Sequence, residues 1–255
     1  MSPRFSPPDA RAWAGPVLAA LGLVAIAAAA LLPPLRDAPL ARWILSETLA
    51  PANVLPLIAL GAAFGLIGRR ALLAALALFA LGIAAGVLAE DRLLQLLYPV
   101  PGAATHLFLT GPISYLAAGL ALVVSARWRV YVAPPAAFVF GAMAGLAVKL
   151  TDPSLHEPAY TWTPVLIVVW IVLAVALTLR GFWRDWFLVF GRILGSWMLA
   201  IGLLYGGAAL VPKKAPPPPA VTLPPTSAPG AERAIPGLPA PEQPSPFPGG
   251  EFKQP

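Results

Sequence analysis

The chain has no cysteine and only two histidines in 255 residues. The first absence excludes disulfides, thiolate metal sites and cysteine nucleophiles. Charge is scarce as well. Asp, Glu, Lys and Arg make up 11% of the residues, against about 25% in an average soluble domain. A P-loop, a dinucleotide-binding GxGxxG after a strand and a GxSxG elbow are all missing, and Ser114, Ser125 and Ser196 have no base nearby in sequence. These gaps argue against an enzyme. The net charge of +6 does not point to nucleic acid, because the basic residues stand in ones and twos between apolar stretches rather than in a run.

What is abundant is apolar. Hydrophobic residues form 58% of the chain and the mean hydropathy is +0.77. A helix that crosses about 30 Å of hydrocarbon needs roughly 20 mainly apolar residues. Seven stretches approach that: Ala14–Leu32, Val54–Gly68, Leu72–Ala89, Leu107–Ala126, Val130–Leu150, Pro164–Leu179 and Trp186–Val211. The expected fold is an all-α polytopic bundle over residues 14–211, behind a short N-terminal segment, 1–13. Its partner is the lipid bilayer. Two shorter pieces, Asp37–Ala50 and Asp91–Tyr98, gather apolar residues on one face and read as helices lying in the membrane surface. Ala14–Leu32 also resembles a signal peptide, with a basic start and an Ala27–Ala30 run, but its apolar stretch is long for one.

From Pro212 the composition changes. Residues 212–255 contain fifteen prolines, including Pro216–Pro219. A residue without a backbone N–H, recurring so often, forbids helix and sheet, and predicts a disordered, extended arm. Such an arm could dock an envelope partner.

The connections set an orientation. Arg4, Arg11, Arg69, Arg70, Arg127, Arg129, Arg180 and Arg184 fall on one side, against Arg36, Arg42, Arg92 and Lys149 on the other. The positive-inside rule then puts the N-terminus in the cytoplasm of a bacterial inner membrane and the tail in the periplasm. The six stretches after the first divide into three hairpins with basic turns. Each opens with a proline, Pro56, Pro112 and Pro164, expected in a first helical turn where the missing N–H has no partner anyway. The second helix of each carries a GxxxG: Gly82–Gly86, Gly141–Gly145 and Gly202–Gly206. In lipid such pairs let two backbones approach closely. These six glycines are therefore the expected inner packing surface. Val165–Leu179, with no glycine, is expected to face lipid.

Ionisable groups within the spans are nearly absent. Arg192 lies near the cytoplasmic end of the last stretch, where it can snorkel to the headgroups. The acids Asp37, Glu47, Glu90, Asp91, Asp152 and Glu157 and both histidines, His106 and His156, fall on the outer side. Imidazole with carboxylate suits borderline divalent metals. His106, Asp152, His156, Glu157, Glu90 and Asp91 are thus the metal-ligand candidates of a cation-collecting mouth, with loop polarity as the plainer reading of the same residues.

The closing stretch, from Arg192 through Gly195, Ser196 and Trp197 to Tyr205, Gly206 and Gly207, resembles the final helix of hydrogenase/urease accessory membrane proteins. The resemblance implies nickel handling. It covers about one helix, and the family's histidine-and-aspartate signature is missing: His106 is followed by Leu107, Phe108, Leu109, Thr110, Gly111 and Pro112. No ligand carries over. Two functions follow as expectations: passage or delivery of a small solute or divalent metal ion, or a non-transporting membrane scaffold that docks a partner through its Pro-rich tail.

Overall fold

The computed structural model describes residues 10–89, 92, 95, 107–154, 157–182 and 184–210. All regular structure among them is helical. After a short 3-10 turn, Ala10–Trp13, come α1 (Ala14–Leu31), α2 (Pro33–Arg36), α3 (Pro39–Trp43), a π-helical segment (Ile44–Thr48), α4 (Pro51–Gly65), α5 (Arg69–Leu88), α6 (Leu107–Val123), α7 (Ala126–Thr151), α8 (Pro158–Gly181) and α9 (Trp186–Leu210). The arm 212–255 lies outside the described residues, as does most of Asp91–Tyr98; Arg92 and Gln95 are helical.

Five helices, α1, α5, α7, α8 and α9, are long and apolar enough to cross a membrane by themselves. The helix α6 is apolar but shorter. The helix α4 reaches the length of a span only together with residues 39–48, from which it is bent by 66°. The segment expected to lie in the membrane surface thus joins α4 at a sharp bend, the geometry of a surface helix meeting a span as well as of a broken span. Trp43 pins it. Its indole N–H donates to the Thr151 carbonyl at the end of α7 (3.1 Å), and its ring meets Tyr160 of α8 at 5.4 Å.

Glycine notches decide which helices pair. A Cβ on Gly82 would strike the Phe138 carbonyl, one on Gly86 the Ala142 carbonyl, and one on Gly141 the Phe79 carbonyl. One on Gly145 would lie 2.6 Å from the Ile83 carbonyl. The two GxxxG motifs thus face each other, and α5 and α7 share the broadest face in the bundle. The third motif differs. Gly202 faces Leu116 of α6, and Gly206 is looser, 3.6 Å from Pro112 Cβ. Gly195 and Gly119 complete that α6–α9 contact.

The helices that share the broadest faces are not the consecutive ones. The helix α5 lies on α7, α6 on α9 and α7, and α4 on α8 and α6. Of the three expected hairpins, only α6–α7 joins neighbours in the chain by an extensive face. The notches select partners by shape, whatever the length of the connection.

Two further expectations are corrected. First, α8 is sandwiched between α1 and α4 and buries Val165, Val168, Ile171 and Val172. It has no glycine between Val165 and Leu179 because its partners carry them: Gly15 and Gly22 in α1, Gly61 and Gly65 in α4. Close approach needs a small residue on only one of two helices. Second, Pro56, Pro112 and Pro164 stand inside α4, α6 and α8, not in their first turns. Each removes an N–H that would bond the carbonyl four residues earlier.

Overpacking a close contact costs about 1–3 kcal/mol. Gly141→Ala should therefore clearly lower the melting temperature of the detergent-solubilised protein, and Gly206→Ala should leave it unchanged. Equal melting temperatures for the two variants would contradict the notch assignment.

Candidate functional site

The proline in α4 opens the site. Pro56 leaves the Ala52 carbonyl without a helical donor. That carbonyl instead accepts a hydrogen bond from the Tyr115 hydroxyl of α6 (2.9 Å). Tyr115 is 7% exposed, and its ring lies parallel to that of Tyr205 in α9, with centroids 6.4 Å apart. One carbonyl freed by proline thus draws a tyrosine across from another helix and positions a second aromatic behind it.

Beside this pair is a cavity of about 370 Å³. It lies among the N-terminal turns of α4 and α6 and the C-terminal halves of α7 and α9, all at one end of the bundle. Phe140, Met143, Leu57 and Val168 form its buried apolar wall. Glu47, Thr48 and Asn53 line its other side. Glu47 belongs to the π segment, a helix type that often marks functional sites. Asn53 Nδ2 donates to the Glu47 carbonyl (2.7 Å), tying the break to the first turn of α4. Ser114 donates to the Thr110 carbonyl (2.7 Å), and the Thr151 hydroxyl to the Ala147 carbonyl (2.8 Å). Most polar lining groups are thereby held in place. The Glu47 carboxylate is exposed; among the described residues it is the one charged group in the lining and has no hydrogen bond or ion pair.

The opposite end of the bundle is tied by arginines. Arg129 is 1% exposed. Its Nη2 donates to the carbonyls of Leu122 (2.9 Å) and Val124 (3.0 Å), closing the C-terminal end of α6, where the helix dipole favours a cation. Nε and Nη1 of Arg129 are buried without a partner among the described residues. Arg180 similarly donates to the Ile67 carbonyl (2.6 Å) in the turn after α4. Both residues read in sequence as markers of charged turns; in the fold they bond carbonyls at the C-terminal ends of helices. Arg192 is exposed on α9.

Of the predicted metal ligands, His106, His156, Glu90 and Asp91 lie outside the described residues. Asp152 and Glu157 organise the turn before α8. Asp152 Oδ1 accepts from the Ser154 N–H (2.8 Å) and hydroxyl (2.6 Å), and the Glu157 N–H donates to that hydroxyl (3.0 Å). Among the described residues no group of three His, Asp or Glu could hold a metal ion. The sequence pattern does not single out the cavity residues Asn53 and Tyr115, and Tyr205 enters only through the resemblance of the closing stretch. A tyrosine in the middle of an apolar helix was the available signal, because a buried hydroxyl needs a partner.

No family model, curated protein or solved structure matches this chain. The resemblance of α9 to accessory membrane proteins rests on that helix alone.

The pairing of Tyr115 with the carbonyl freed by Pro56 can be tested by a double-mutant cycle. Tyr115→Phe should cost about 1 kcal/mol in the parent. It should cost less in a Pro56→Ala background, where the residue 56 N–H can return to the Ala52 carbonyl. Additive effects on thermal unfolding would show that the two features are independent.

Proposed function

We propose that the protein is a multi-pass protein of the bacterial inner membrane that binds a small solute in this cavity and passes it across the bilayer. One observation carries the reading: the cavity forms where a helix is broken. Broken backbone at membrane depth is tolerated where it lines a cavity or is buried in protein, and discontinuous helices form the substrate sites of many transporters. At about 370 Å³ the cavity also falls in the roughly 300–1,000 Å³ range of small-molecule sites.

In this proposal all seven apolar helices cross the membrane. The N-terminus is cytoplasmic, Arg129 and Arg180 lie toward the cytoplasm, and the cavity opens on the outer side. A divalent metal is a weaker choice of cargo, because Asp152 is engaged by Ser154 and the described residues of the cavity offer a single carboxylate.

Ala144 and Ala147 line the cavity on α7. Protein purified in mild detergent should retain a small molecule detectable by native mass spectrometry. Ala144→Phe should lose it while keeping its elution profile, and deletion of residues 215–255 should leave it bound. Retention of nothing by the parent, together with release of a protein partner on tail deletion, would favour the scaffold.

A further inference from the structure

We infer that the solute is a small organic cation with an apolar body, of the alkyl- or arylammonium class, held with its charged end at Glu47. The inference rests on the proposal that the cavity is a solute site and adds the chemistry of what enters.

Three observations carry it. The first is charge. Among the described lining residues Glu47 is the one ionised side chain, and none is a lysine, arginine or histidine. Anionic ligands would find no cationic partner among them, and the Glu47 carboxylate would repel them. The second is the state of that carboxylate. Asn53 bonds its backbone carbonyl rather than its side chain, and the ion pair found among the described residues is elsewhere, Arg36 with Asp37. The acid is left to meet a ligand. The third is the wall. Phe140, Met143, Leu57 and Pro56 are apolar, and the Tyr115–Tyr205 pair presents aromatic surface at the same cavity. Aromatic faces attract ammonium groups through the ring quadrupole, and apolar walls reward a hydrocarbon body. A bare metal ion gains from neither, and one carboxylate is too few ligands for it. A sugar or other polyol would need more polar partners than Ser114, Thr110, Asn53 and Thr151 provide, since Ser114 and Thr151 donate to their own helices.

Benzyltrimethylammonium and its neutral carbon isostere, neopentylbenzene, separate charge from shape. Binding of each to the full chain in neutral detergent is measured by equilibrium dialysis at low and high salt. The cation should bind more tightly than the isostere, and its affinity alone should fall with salt. Glu47→Gln, at an exposed position that does not hold the fold, should weaken the cation about fivefold and leave the isostere unchanged. Tyr205→Leu should also weaken the cation, and Tyr205→Phe should not. If the isostere binds as tightly as the cation, or if Glu47→Gln leaves cation binding unaltered, the ligand class is wrong and the solute site stands. If neither compound binds the parent, the solute site falls with it.

Discussion

Backbone polar groups in a bilayer must find partners inside the protein, and the structure is arranged around that requirement. Proline in α4 releases a carbonyl, and Tyr115 of α6 claims it. The C-terminal end of α6 exposes carbonyls, and Arg129 of α7 claims two of them. The turn after α4 exposes one more, and Arg180 of α8 claims it. Each satisfaction is made by a different helix. Backbone accounting and tertiary structure are therefore one problem here, and helices distant in the chain are tied at both ends of the bundle.

Between those ends glycine sets the spacing. The α5–α7 face brings backbone against backbone through four glycines, and the α8 faces do so with glycines from one side only. The result is tight packing along these faces, with a cavity left at the break before α4 and an almost wholly apolar one between α1, α3 and α8. In the proposed solute site the walls define shape, and the break supplies polar groups.

Hydropathy alone located the helices well. Ala14–Leu32 and Trp186–Val211 match α1 and α9 to within a residue, because the requirement for a long apolar run is local. Boundaries at prolines were less legible. The helix α8 begins at Pro158 rather than Pro164, since Pro158 occupies the position that tolerates a missing N–H and Pro164 sits a turn and a half further in. Partner choice was not legible. Gly82 and Gly141 stood out as close-packing residues, but nothing in either motif says that they meet each other, and nothing in Val165–Leu179 says that its partners bring the glycines. Arg129 looked like Arg127, two residues earlier. One is buried and the other exposed, a difference set by the helix face that meets α6. The cavity was invisible for the same reason: Glu47, Asn53, Tyr115 and Tyr205 come from four segments whose approach depends on the fold.

The natural absence of cysteine allows the central claim, a cavity at the broken span that opens to the outside, to be probed on a silent background. A single cysteine in place of Ala147, in the cavity lining, should react in intact cells with a membrane-impermeant maleimide added outside. A single cysteine in place of Ala137, which is 0% exposed on the same helix, should not react. Labelling of the residue 147 cysteine only from the cytoplasmic side, or from neither side, would contradict an outward-facing cavity.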